Sequence, residues 1–214
     1  MTALSNDLEL QLKGDALVCS QKDIDELKSS ISRHGFGSLA GALAPAALRT
    51  LQEESATLLL DAKRAEQSEG LAYRASLTRM GPNGQAFFRG KAFGALLRDL
   101  FEESFELSET VSCITRYGEA DHLGAHLDQP AELCAVTIIL YLDVCGQGWP
   151  LSDTGLVLRV YGESMPADGE ASLLIPTRTG AMAIGRGSRV WHERPRLREG
   201  EAVTALTVCF KPAP

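Results

Sequence analysis

The chain has no excess of positive charge: 21 Lys and Arg stand against 28 Asp and Glu, a formal net charge of −7 over 214 residues. A global field that would draw it to a phosphate backbone is missing, so nucleic acid is disfavoured as a partner. No apolar run approaches the roughly 20 residues needed to cross a bilayer, and no membrane partner is expected. Met1 to Leu12 carries Asp7 and Glu9 among its leucines, with neither a cationic start nor a continuous apolar stretch, so no secretory signal is read there. The five cysteines, Cys19, Cys113, Cys134, Cys145 and Cys209, are odd in number and lack CxxC spacing. They read as reduced core residues and the protein as cytoplasmic. Repeats, low-complexity tracts and linkers are lacking. So is HExxH or any other placed general base, which argues against a zinc hydrolase.

What is present is enough apolar material for a core. A chain of this length that is 44% hydrophobic fits one domain, residues 1–214, better than two small ones. Its pattern changes once. Residues 1–105 read as mainly helical. Lys22 to His34 places Ile24, Leu27 and Ile31 on one face, and Pro45 to Arg64 places Leu48, Leu51, Leu58 and Leu59, with Pro45 suited to a first turn. Lys91 to Glu103 carries Phe93, Leu96, Leu97, Leu100 and Phe101. From about residue 106 the chain reads as short β-strands broken by Gly, Pro and Asp, which makes the fold class α+β.

Two connecting segments are candidates for substrate contact. Glu69 to Arg89 holds Tyr73, Arg74, Arg79, the run Gly81-Pro82-Asn83-Gly84, and Arg89. One reading is a pair of strands with a Pro-Asn-Gly turn, and the other is a lid whose Arg74, Arg79 and Arg89 bind a substrate anion. Val144 to Asp153, with Trp149, is either a second contact or a passive loop.

The chemistry-bearing signal is His126-Leu127-Asp128 with a distant His192. Side chains at i and i+2 of a strand point to one side, so His126 and Asp128 can grip one metal while His192 arrives from another strand. Two imidazoles and a carboxylate hold one face of Fe(II) and leave the other open. Of the other histidines, His34 closes a helix, and His122 reads as a loop residue.

The order of motifs carries a resemblance. Ser112-Cys113-Ile114-Thr115-Arg116-Tyr117-Gly118 precedes HxD. Val136 to Asp143 follows it, then Gly155-Leu156-Val157-Leu158, Ile175-Pro176-Thr177-Arg178-Thr179-Gly180, Trp191-His192-Glu193 and a closing Leu206-Thr207-Val208. Over residues 110–212 this order resembles the Fe(II)- and 2-oxoglutarate-dependent dioxygenases, especially their prolyl-hydroxylase-like branch. The resemblance implies a double-stranded β-helix (jelly-roll, cupin-like) core buttressed by the N-terminal helices. It also implies Fe(II) on His126, Asp128 and His192, and O2 and 2-oxoglutarate as cosubstrates, with ascorbate a further candidate. Tyr141 stands where the family's tyrosine meets the far carboxylate of 2-oxoglutarate, and Tyr117 is expected to face inward beside it. Asp128 argues against halogenation, because halogenating relatives have a small residue there.

One family element is missing. An Arg or Lys is expected nine or ten residues after the distal His, on the last strand. Here that stretch reads Gly200-Glu201-Ala202-Val203-Thr204-Ala205-Leu206. Arg198, Arg196 and Arg116 are the candidates for the missing cation, although Arg196 and Arg198 also read as a solvated loop and strand alternation puts Arg116 opposite Tyr117. The expected activity is hydroxylation or desaturation of an unactivated C–H bond in a small polar or amino-acid-like metabolite. The rivals are a prolyl-type protein hydroxylase and a cupin-like metal or metabolite sensor without turnover.

Overall fold

The computed structural model describes residues 7–12, 15–41, 43–68, 71–146 and 150–214. A hairpin of β1 (Asp7–Leu12) and β2 (Asp15–Ser20) leads into α1 (Gln21–His34). Ser20 starts this helix. Its hydroxyl accepts from the Asp23 amide while the Asp23 carboxylate accepts from the Ser20 amide, so two otherwise orphaned donors are satisfied. Gly35, at φ 75°, ends it in the left-handed region where a side chain is strained. The face expected from the sequence, Ile24, Leu27 and Ile31, is the buried one.

β3 (Phe36–Leu39) precedes α2 (Pro45–Leu58), which starts on its proline. This helix does not run on to Arg64 as the sequence suggests. It ends in a short 3-10 turn, Leu59–Asp61, and Lys63 opens β4 (Lys63–Ser68), paired with β5 (Leu71–Arg79). A strand pair is therefore present, but Pro82-Asn83-Gly84 does not close it. Those residues begin α3 (Pro82–Phe88). The cause is tertiary: Glu54 of α2 accepts from the Asn83 and Gly84 amides at 2.7 and 2.9 Å, supplying the anionic cap that favours a helix start. α4 (Lys91–Phe101) buries all five of its predicted apolar residues.

The remaining elements are β6 (Phe105–Tyr117), β7 (His122–His126), α5 (Ala131–Cys134), β8 (Val136–Cys145), β9 (Val157–Gly162), β10 (Leu173–Pro176), β11 (Met182–Gly185), β12 (Trp191–Arg194) and β13 (Ala202–Pro212). Antiparallel pairing gives the order β10-β9-β12-β7-β5-β6-β13-β8-β11-β3, with β4 beside β5. β5 bonds to both β6 and β7, and there the sheet turns from one layer into the other. The product is a double-stranded β-helix.

Alternation along β8 and β13 sets up two cores. Val136, Ile138, Leu140 and Leu142, with Leu206, Val208 and Phe210, face the helices and pack on Ile24, Leu27, Phe93 and Leu97. Ile139, Tyr141, Val203 and Ala205 face the barrel interior, against Leu158 and Val160 from the opposite layer. A strand buried on both faces loses its polar alternation, which is why β8 reads as a continuous apolar run.

α1, α2 and α4 do buttress the barrel, but residues 1–105 are not helices alone. β3 pairs with β11, and β5 is hydrogen-bonded between the two layers, with Ala75 wholly buried. β5 falls mostly within Glu69–Arg89, where a pair of strands is one of the two sequence readings, and its partner β4 lies just before that segment. The expectation that all five cysteines are reduced needs correction, since Cys134 and Cys209 form a disulfide with Cα atoms 4.8 Å apart. They lie 75 residues apart, and only the packing of α5 against β13 brings them together, so no spacing announces the pair. Cys113 and Cys145 are free thiols.

Candidate metal centre

β7 and β12 are antiparallel neighbours in which His192 lies directly opposite His126, and the two imidazole centroids are 4.3 Å apart. Asp128 sits just beyond the end of β7. Its amide donates to the Gly187 carbonyl at 2.9 Å, which turns its side chain back toward the histidines. His126 Nε2 is 3.3 Å from one carboxylate oxygen and His192 Nε2 is 3.7 Å from the other. One ligand atom from each of the three residues lies within 4.8 Å of the others.

The surrounding bonds fix which atoms face the centre. Nδ1 of His126 meets the Gly124 carbonyl and Nδ1 of His192 meets the Val190 carbonyl, each at 2.9 Å. A carbonyl can only accept, so the proton resides on Nδ1 and the Nε2 lone pair is free for a metal. The Thr137 hydroxyl donates to the Asp128 carboxylate, and Phe36 packs 5.0 Å from the His192 ring. Gly187 is required by space. A Cβ there would overlap both Asp128 Oδ2 and Thr137 Oγ1 and come within 2.9 Å of the Asp128 carboxyl carbon.

Electrostatics favour the ligating forms of Asp128 and His192. Burial pushes the Asp128 carboxyl up, but His192, His126 and the Thr137 bond together outweigh it and hold the group well below the usual carboxylate range. Burial pulls His192 down, toward the neutral imidazole. Burial acts on His126 the same way, yet its bond to Asp128 leaves it above its ordinary value.

The three residues open onto a barrel cavity walled by Tyr117, Ile139, Leu158, Arg194 and Ala205. Tyr117 therefore faces inward as expected. Tyr141 is fully buried on the inner face of β8, and its hydroxyl has no hydrogen-bond partner among the described residues.

The expected cation is not where the sequence placed it. Arg198 is exposed and lies 3.6 Å from Asp153, Arg196 is exposed, and Arg116 lies on the outer side of β6 in a groove beside α2. The arginines of the expected lid do not cover the centre either. Arg74 lies 3.3 Å from Asp121, Arg89 pairs with Glu109, and Arg79 lines a groove between β5 and β6. Once their segment forms strands and a helix rather than a loop, these side chains project outward. Trp149 lies outside the described residues. His122 is a β7 residue rather than a loop residue, its Nδ1 3.2 Å from the Ala120 carbonyl, and His34 ends α1.

Three residues were missed. Thr137, a polar residue within the apolar Val136–Asp143 motif, and Gly187, in a segment with no motif of its own, both act on Asp128. Arg194 had a signal, because it lies two residues after His192 on one strand and so shares its face. It was obscured by the run Arg194-Pro195-Arg196-Leu197-Arg198, which reads as a charged loop.

No protein-family profile and no curated protein matches the sequence. Solved structures do match the fold. The chain is similar to a prolyl-4-hydroxylase of Pseudomonas putida (TM-score 0.62, 20% identity, 89% of this chain and 100% of that one). It is also similar to SnoN, a non-haem α-ketoglutarate-dependent epimerase from nogalamycin biosynthesis (0.69, 15%, 89% and 83%). A third is an oxidoreductase of the 2OG-Fe(II) oxygenase family from Burkholderia pseudomallei (0.63, 14%, 90% and 92%). At such identities the likeness establishes the double-stranded β-helix fold, and the His126-Asp128-His192 cluster is compatible with a metal site on it.

Proposed function

We propose that this chain is a non-haem Fe(II)- and 2-oxoglutarate-dependent oxygenase that oxidises a C–H bond of a small polar or amino-acid-like metabolite. The observation that carries the reading is the convergence of two Nδ1-pinned imidazoles and one buried carboxylate within 4.8 Å, facing a cavity in the barrel. This donor set fits Fe(II) and leaves coordination positions for a bidentate 2-oxo acid and for O2. The buried, unpartnered Tyr141 hydroxyl fits the same reading, since a buried hydroxyl without a partner is costly and a carboxylate would satisfy it.

When bound, the iron would supply the oxidising chemistry, coupling oxidative decarboxylation of the 2-oxo acid to attack on a C–H bond. The chain's own part is positional. The Gly124 and Val190 carbonyls orient the two imidazoles, Thr137 and the Gly187 carbonyl orient Asp128, and Ile139 and Leu158 keep the cavity walls apolar.

A metabolite substrate is favoured by the acidic balance, which offers no attraction to polyanions. A peptide is the second reading, prompted by the likeness to a prolyl-4-hydroxylase and to a prolyl hydroxylase solved with a peptide fragment. The test is succinate release from labelled 2-oxoglutarate with Fe(II) and O2, run with metabolite pools and with peptide libraries. The expected result is release stimulated by metabolites and lost in His126→Ala. Stimulation by peptides alone would move the substrate to the second reading. Unchanged Fe(II) affinity in His126→Ala, or no release under any condition, would overturn the oxygenase.

A further inference from the structure

Arg194 is buried, 4% exposed, and lines the same cavity as His126, Asp128 and His192. Its guanidinium is held rather than neutralised. Nη1 donates to the Gly155 carbonyl at 3.0 Å and to Thr177 Oγ1 at 3.1 Å, and its central carbon lies 5.4 Å from the Tyr117 ring centroid and 5.3 Å from that of Tyr141. Among the described residues no carboxylate pairs with it. The buried carboxylate of Glu201 is taken up by the Thr154 hydroxyl and by the Gly155 and Arg198 amides. A buried cation without an anion is among the costlier arrangements in a protein interior, and a hydroxyl with no partner lies on the ring beside it. Two unmet demands in one place call for one ligand, an anion that accepts from both.

The last strand shows why the cation comes from β12. Glu201 and Ala202 stand where a basic residue was expected, nine and ten residues after His192, and the next inward-facing residues of the strand, Val203 and Ala205, are apolar. The cavity lined by Ala205 is bordered also by Arg194, which reaches in from the strand of the distal histidine. His192 and Arg194 are two residues apart on one face of β12, a span of roughly 6.6 Å. A diacid could therefore bridge the metal position and the guanidinium.

We infer that Arg194, with Tyr141, is the carboxylate-binding pair of this cavity. It selects a 2-oxo acid bearing a second, distal carboxylate, and it replaces a cation on the last strand. This rests on the oxygenase reading for the metal end of the ligand, while the carboxylate end stands on the buried Arg194 and Tyr141 themselves.

The test is equilibrium binding to the full chain loaded with Mn(II), which needs no turnover. Calorimetry compares 2-oxoglutarate with 2-oxopentanoate, in which a methyl group replaces the distal carboxylate. Wild type should prefer 2-oxoglutarate. Arg194→Met should weaken 2-oxoglutarate about 10- to 100-fold while changing 2-oxopentanoate less than threefold, as expected for loss of hydrogen bonds to a charged group. Arg194→Lys should recover part of the preference. A folded Arg194→Met that binds Mn(II) normally and keeps its preference would overturn the assignment and leave the oxygenase intact. A wild type that binds Mn(II) but neither acid would instead remove the oxygenase reading. Should Arg194→Met fail to fold, Tyr141→Phe decides, because an unchanged ratio of the two affinities there overturns the pair.

Discussion

Gly187→Ala tests how tightly the metal ligands are held, because it adds one methyl group outside the ligand set. That methyl would occupy the space now held by Asp128 Oδ2 and Thr137 Oγ1. Neither neighbour is the free end of a flexible surface chain. The Asp128 side chain is 14% exposed, and the Thr137 hydroxyl belongs to β8, which pairs with β11 and β13. The carboxylate must therefore rotate away from Thr137. It loses a charge-assisted hydrogen bond worth about 1.5 to 3 kcal/mol. At about 1.4 kcal/mol per tenfold this amounts to roughly a 10- to 150-fold loss of metal affinity, which matches the usual cost of disturbing a residue that orients a ligand. The assay is anaerobic titration with Fe(II) or Co(II), with circular dichroism to show that the barrel is intact. Thr137→Val removes the hydroxyl without adding bulk and should cost less. Because both changes act on the same carboxylate, the double variant should fall short of the sum of the two. A folded Gly187→Ala whose metal affinity stays within threefold of wild type would refute the reasoning.

Two further outcomes concern stability. Asp121 is buried and accepts from Arg64 at 2.8 Å and from the Gly118 amide at 2.8 Å. Burial raises its pKa, but those two bonds and the charges of Arg64 and Arg74 outweigh it, so the folded value lies below the unfolded one. Its stabilisation is therefore fully present above the unfolded value of about 3.9 and is lost as pH falls through the folded value. Asp121→Asn should cost about 1 to 3 kcal/mol at pH 7, and urea midpoints for the two proteins should converge in strong acid; a difference constant with pH would count against it. Reducing Cys134–Cys209, which closes a 75-residue separation, should lower the melting temperature, with a cost of about 2 to 4 kcal/mol. Thiol labelling under denaturing conditions should find two fewer reactive cysteines before reduction than after, and equal numbers would show that the bond does not form.

The features legible in the sequence are those written locally. α1 and α4 were readable because their apolar faces repeat at helical spacing and survive burial unchanged. HxD and the distant His192 are readable as a ligand pattern, although Asp128 lies past the end of β7 and its bond to Gly187, not strand alternation, turns it toward the histidines. The misses share another cause. Pro82-Asn83-Gly84 has turn chemistry, and Glu54, 29 residues earlier, makes it a helix start. Arg74, Arg79 and Arg89 have the composition of an anion-binding lid, yet partners such as Asp121 and Glu109 turn two of them outward. Cys134 and Cys209 meet only through the packing of α5 on β13. In each case the deciding partner is remote in sequence, and local pattern carries no record of it.

A fixed count beyond the distal histidine locates a cation along the chain, whereas what a buried carboxylate requires is a location in space. A barrel interior is shared by inward-facing positions from every strand, so side chains from neighbouring strands can fill one volume. Here the last strand contributes Ala205 to the cavity, and its small size leaves room that a long side chain from β12 can use. The phenol rings of Tyr117 and Tyr141 then serve as the surface on which a guanidinium rests, a role that a shorter ammonium group would fill less well because it lacks the planar face that stacks on a ring. An arginine is thus the side chain suited to supply the charge from this strand, and Lys at 194 is expected to restore the preference for a diacid only in part.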